Sequence, residues 1–314
     1  MVVGSLALVG SLVVLVIAGD QFVIGAVRVA AALKVRPTIV GAVIAGLGAS
    51  LPELMVAGIA SSRGDSQIAL GALIGANIAI VSLALGVAAL ISPVRVDSRT
   101  VRREAPISVA AVLLFAILIP GGLTRPEGAV LLAALVAGLS VLLVSAGMGT
   151  RRDELGLEVN EFFEPARHRS LGEVARALGG LGLMLGAAEI LIRSASDLAG
   201  RLGVGEAFIG LTVVALGTSA PQVAIAIQAA RRGDHDLVVG NILGSNLFIA
   251  LGGGFIVGFL HHGPAPVSSA APIWIMAAVA LAAWGFMARR SLVTRWEAGI
   301  LLAAYATALA LAPR

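Results

Sequence analysis

The chain contains no cysteine, which excludes a disulfide framework, a thiolate metal site and a cysteine nucleophile. Charge is scarce as well. Asp, Glu, Lys and Arg make up 13% of 314 residues, against roughly 25% in ordinary soluble domains. Hydrophobic residues make up 58% and the mean hydropathy is +0.99. That is the composition of a polytopic protein whose surroundings are the lipid bilayer. Histidine occurs only as His168, His235, His261 and His262, all in polar intervals between apolar runs, where a solvated loop histidine is the simple reading. No Ser–His pair and no pair of carboxylates falls within the apolar segments, so hydrolytic chemistry lacks its parts and an enzyme is not expected. A pI near 10.8 would fit a nucleic-acid partner. The arginines, however, lie between apolar runs and form no basic face with interleaved aromatics, so no nucleic acid is expected.

Ten apolar segments follow one another, at roughly 3–26, 37–61, 67–91, 106–120, 127–147, 171–197, 206–230, 236–260, 271–288 and 296–312. A spanning helix needs about 20 residues, so the fourth is short. The first lacks the basic start of a secretory signal and reads as a retained helix. With the N-terminus outside, 17 of the 22 Lys and Arg fall in inside loops, which predicts both termini outside. The sequence therefore predicts an all-α membrane protein of about ten transmembrane helices. Its first five-helix repeat is 1–148, its cytoplasmic linker 149–170 and its second five-helix repeat 171–314. An odd number of helices per unit inverts the second relative to the first.

One stretch occurs twice. GLGASLPELMVAGIASSRGDSQIALGALIGAN (46–77) and ALGTSAPQVAIAIQAARRGDHDLVVGNILGSN (215–246) match at an offset of 169. Pro52 and Pro221 sit inside apolar helices, where each leaves the carbonyl four residues earlier without its partner. Ser50 and Glu53 are three apart and share a helical face; Thr218, Ser219 and Gln222 repeat that face. Hydroxyls, freed carbonyls and one carboxylate form an all-oxygen set, suited to hard cations such as sodium, calcium or magnesium, or to a proton. An ionisable residue in mid-span costs about 2.5–3.5 kcal/mol on insertion scales and usually marks a pathway, which puts Glu53 first among the candidates. Asn77 and Asn246 need partners at that depth, as ligands or as struts between helices. The pairs Gly71/Gly75 and Gly240/Gly244 read as close helix contacts, and the Arg-Gly-Asp triplets at 63–65 and 232–234 as turns. Asp20 and Glu189, also 169 apart and read as lying toward segment ends, are reserve candidates.

On these residues the chain resembles the cation/calcium exchanger superfamily, most closely its prokaryotic sodium/calcium exchangers. GASLPE…GAN and GTSAPQ…GSN resemble that family's paired alpha repeats, and the likeness runs nearly end to end. The resemblance implies antiport by alternating access around a mid-membrane ion site, with transported ions sodium and calcium, or a proton, and no cofactor. Its ion ligands would fall on Ser50, Glu53 and the backbone of Gly46, and on Thr218, Ser219, Ser245 and the backbone of Ala215. The chain departs from the family where Gln222 replaces a glutamate, Ala49 a threonine, Ala76 a small polar residue, and Ile80 and Ile249 an Asn or Asp. Glu53 is thus a lone carboxylate. Removing one unit charge ~4 Å from a divalent cation forfeits roughly 8 kcal/mol at an effective dielectric near 20, before hydration offsets much of it. Two alternatives stand beside sodium/calcium exchange: a sodium or proton antiporter of changed selectivity, and a non-transporting membrane scaffold. The expected location is the plasma membrane, the inner membrane of a bacterium. The oligomeric state is left open.

Overall fold

The computed structural model describes residues 2–33, 46–98, 100–147, 170–261, 265 and 269–312. The expected linker lies outside those residues except for Ser170. So do His168, His262 and several of the basic residues behind the orientation argument.

Apolar sequence in lipid must satisfy its own backbone, and helices are the local solution. Among the described residues α1 is Val2–Ala32, and α2 is the turn Gly46–Ala49 followed by Leu51–Arg63. Next come α3, Ser66–Ile91, and α4, Thr100–Gly121, then α5, Arg125–Gly147. The second half holds α6, Ser170–Leu202, then α7, Glu206–Arg232, and α8, His235–Leu260. It ends with α9, Ala271–Arg290, and α10, Arg295–Ala310. All but α2 and α10 are long and apolar enough to cross a bilayer, which makes this a multi-pass membrane protein.

Two expectations need correcting. The fourth helix begins at Thr100, not near 106, because Arg102, Arg103 and Glu104 form a π-helical first turn ahead of the apolar run. Hydropathy cannot register a charged turn at a helix end. For the same reason α1 and α6 run on past the segments read from the sequence, so Asp20 and Glu189 lie in helix interiors and not toward their ends.

The repeat is visible in space. Gly64 (φ +88) and Gly233 (φ +74) each end a helix in the left-handed region. In both copies the next residue's N–H reaches back to close the turn, Asp65 to the Ala60 carbonyl and Asp234 to the Ala229 carbonyl, each at 2.9 Å. Thr124 and Thr294 cap α5 and α10 in the same way. The backbone N–H of each donates to the carboxylate three residues on, Glu127 at 3.1 Å and Glu297 at 2.8 Å. α3 and α8, the most deeply buried spans, each widen into a π segment shortly after the paired asparagine, at Ile80–Leu85 and Phe248–Gly253.

The halves run in opposite directions. A Cβ at Gly25 of α1 would lie 2.7 Å from the Ala177 nitrogen, and one at Gly180 of α6 2.7 Å from the Phe22 nitrogen. The start of each helix therefore meets the later part of the other, and these equivalent helices pack antiparallel. Only glycine permits backbones that close. The one departure from an all-α fold among the described residues is short extended pairing between connections. β1, Val94–Arg95, pairs antiparallel with β2, Leu292–Val293, and a single bridge joins Leu123 to Ala265.

Candidate functional site

The two copies of the repeated stretch meet at the centre through glycine. A Cβ at Gly75 would come within 2.4 Å of the Leu211 carbonyl oxygen and 2.6 Å of the Ala215 Cβ. α3 thus lies directly against the start of the second stretch. α8 in turn lies against the Gly46–Ala49 turn of the first.

Proline acts differently in the two copies. In α2 the helix breaks at Ser50 (φ −103, ψ 1), one step before the Leu-Pro pair. Ser50 N–H donates to the Leu47 carbonyl at 3.0 Å, and Leu54 N–H to the Ser50 carbonyl at 3.1 Å. Pro52 has no N–H for the Gly48 carbonyl. Pro221 likewise has no N–H for the Gly217 carbonyl, but α7 stays helical from Ala215 to Arg232 and its irregularity is a π turn just upstream, Gly210–Val214. Losing a single ladder bond does not by itself break a helix.

Ser50, Glu53, Asn77, Thr218, Ser219, Gln222, Ser245 and Asn246 are each 2% exposed or less. Hydrogen bonds join part of this set across the two repeats. Ser219 Oγ donates to Glu53 Oε1 at 3.2 Å. Gln222 Nε2 donates to the Ala49 carbonyl at 2.8 Å and to Ser245 Oγ at 3.2 Å. Thr218 Oγ1 donates to the Ala215 carbonyl at 3.3 Å, within its own helix. Asn77 Nδ2 donates to the Leu73 carbonyl at 2.8 Å, which pins that amide and leaves its oxygen free. Gly46 opens the turn ahead of Ser50. No direct hydrogen bond ties Ser50, Asn77 or Asn246 to Glu53.

What those bonds leave over is all oxygen. Ser50 Oγ, Glu53 Oε2, Asn77 Oδ1, Gln222 Oε1 and Asn246 Oδ1 are buried without a hydrogen-bond partner. A buried polar atom left unpaired costs ~1–3 kcal/mol, so five on equivalent elements of both repeats form a set that a hard cation would complete. Among the described residues no three Asp, Glu or His side chains gather to hold a metal, and Glu53 is the one carboxylate of the set. Ala76, Ile80 and Ile249 are fully buried and add only apolar wall.

The Ala49 carbonyl is a participant that the sequence does not single out, since the side chain at that position shows only the lack of a hydroxyl. Its place one residue before the break at Ser50 was the signal available. The reserve candidates do not join the buried group. Glu189 is bound by Arg63 and, at 2.7 Å, by Arg193, and Asp20 is exposed on α1.

Residues 3–144 and 174–312 match the family described as sodium/calcium exchanger protein. The putative antiporter CaxA of Alkalimonas amylolytica is 34% identical over 79% of this chain and 78% of its own length. Inner membrane protein YrbG of Escherichia coli is 33% identical over 79% and 77%. Among solved structures, the sodium-calcium exchanger NCX_Mj soaked with sodium and strontium superposes with a TM-score of 0.66, at 27% identity over 100% of both chains.

Proposed function

The chain belongs to the sodium/calcium exchanger family, and from that premise we propose that it exchanges cations by alternating access at the buried oxygen cluster where α2, α3, α7 and α8 meet. It is a membrane cation antiporter and not an enzyme. Glu53 supplies the charge that balances a bound cation. Ser50, Ser219, Asn77 and Asn246 supply neutral oxygens. Thr218, Ser245 and the carbonyls of Gly46 and Ala215 complete the surroundings, and Gln222 stands where the first repeat has its carboxylate. The closely packed antiparallel pair α1 and α6 slides past the remaining helices, which hold the site, and so opens it to one side and then the other. The observation that carries this reading is the set of five buried oxygens without partners on α2, α3, α7 and α8, one of them on the carboxylate of Glu53. A scaffold would gain nothing from so costly a centre.

Sodium is one of the exchanged ions, by likeness to NCX_Mj, a sodium-calcium exchanger. Calcium is the partner ion that likeness suggests. Exchange of sodium against a proton or another monovalent cation is the second reading, and Gln222 at the position matching Glu53 favours it. The membrane is a bacterial inner membrane with both termini outside, supported by the uneven distribution of Lys and Arg and by the name of the relative YrbG.

The test needs no choice of partner ion, because an exchanger also swaps sodium for sodium. Proteoliposomes loaded with unlabelled sodium should accumulate radiolabelled sodium from outside, and Glu53→Gln should lose that accumulation. Undiminished exchange in the variant would remove Glu53 from the site.

A further inference from the structure

A carboxylate only accepts hydrogen bonds, whereas an amide has one accepting end and one donating end. Replacing Glu by Gln at position 222 therefore changes direction as well as charge. The donating end of Gln222 faces Ala49 and Ser245, with one bond to the Ala49 carbonyl at 2.8 Å and one to Ser245 Oγ at 3.2 Å. Both amide hydrogens are engaged. Turning the amide over would set its oxygen against the Ala49 carbonyl oxygen, and neither atom can donate. The orientation is thus fixed by an acceptor that has no alternative. Gln222 Oε1 is left pointing away, buried and without a partner.

The two atoms that Gln222 binds are hard oxygens of the kind that ligate cations, one from each repeat. A cation placed between them would meet the positive end of the amide dipole and find both oxygens already engaged. Glu53 Oε2, by contrast, is buried without a hydrogen-bond partner. We propose that Gln222 is the residue that sets ion valence in this protein, confining the site to one monovalent cation at a time, held on the Glu53 side. The proposal rests on the cluster being the cation site, and of the two readings above it selects the second, exchange among monovalent cations. A single positive charge neutralises Glu53; a divalent ion leaves a net charge in a water-excluded centre, which the surrounding neutral oxygens stabilise poorly.

The experiment is calorimetric titration of the purified full-length protein in detergent with sodium chloride, and separately with calcium chloride, choline chloride balancing ionic strength. Wild type should bind sodium with a stoichiometry of one and a Hill coefficient near one, and should bind calcium weakly. Gln222→Glu turns the donor into a second charged acceptor and frees the Ala49 carbonyl. It should tighten calcium binding at least tenfold, about 1.4 kcal/mol, and raise the sodium stoichiometry above one. If that variant does not fold, Gln222→Ala removes the amide without adding charge, and calcium should still tighten severalfold relative to wild type. Tight calcium or multiple sodium binding by wild type, or no gain in calcium affinity in a folded Gln222 variant, would overturn the assignment while leaving the site standing. If wild type binds neither ion, and Glu53→Gln changes nothing, the site itself is lost.

Discussion

The two repeats agree closely in what builds them and differ in what they bring to the centre. Gly64 and Gly233 end equivalent helices in the same left-handed turn. Thr124 and Thr294 cap equivalent helices, and α3 and α8 carry π segments at matching places. At the centre the correspondence fails. Glu53 is matched by Gln222, Ala49 by Thr218 and Ala76 by Ser245, so charge lies in one repeat and most hydroxyls in the other. The ion pairs are uneven too. Arg63 at the end of α2 binds Glu189 of α6, whereas Arg232 and Asp20, the matching residues of the other half, are exposed and form no ion pair with a described residue. α6 correspondingly lies along α2 more extensively than α1 lies along α7. Two copies of one scaffold can thus hold unlike positions.

That comparison can be broken or sharpened by matched substitutions. The largest effect belongs to the centre. Glu53→Gln should cut sodium exchange by more than about a hundredfold, since losing one partner of a buried charge pair costs on the order of 3–5 kcal/mol. The readout is radiolabelled sodium flux in proteoliposomes, and Gln222→Ala should retain sodium exchange where Glu53→Gln does not. Equal losses in both would mean that the charge asymmetry has no functional weight.

Next in size is the glycine contact between α3 and α7. Gly75→Leu drives a side chain into the Leu211 backbone and should destabilise the protein by about 1–3 kcal/mol or more, read as a lower melting temperature in detergent. Gly172, whose added Cβ would meet no atom within 4 Å, should accept alanine with no loss.

The caps provide a comparison in which the halves should behave alike. Thr124→Ala and Thr294→Ala each remove a hydroxyl bonded to the glutamate three residues on and should each cost ~1 kcal/mol. A large difference between them would show that one of these helices has a partner that the other lacks.

The smallest effect tests the uneven ion pairs. Arg63→Gln should lower stability by no more than ~1 kcal/mol, because Arg63 and Glu189 are both about a third exposed. Arg232→Gln should do less still. A larger loss at Arg232 would reverse the asymmetry. Since the chain has no cysteine, Arg63→Cys with Glu189→Cys gives a direct cross-linking measure of the same contact.

Much of this protein was legible before its structure. The offset of 169 marked Ser50, Glu53, Asn77, Ser219 and Asn246 because polar residues in apolar helices stand out and their repetition removes chance. The capping threonines carry a readable signal, Thr followed three residues later by Glu, though a weaker one than the repeat. Helix ends read poorly. Arg102 to Glu104 belong to α4 although hydropathy places them outside, and the extension of α1 and α6 moved Asp20 and Glu189 inward.

By itself, the sequence determined the class of the protein, its doubled architecture, the oxygen chemistry of its centre and the lone carboxylate there. Composition, period and residue identity are properties of the chain taken locally. Only the tertiary structure decided that Gln222 of α7 turns its donors to the Ala49 carbonyl of α2, that Ser219 donates to Glu53, and that Arg63 binds Glu189 while its counterpart has no ion pair among the described residues. Those partners lie more than a hundred residues apart, and which atom faces which depends on the relative placement of packed helices, a property that residue spacing does not encode.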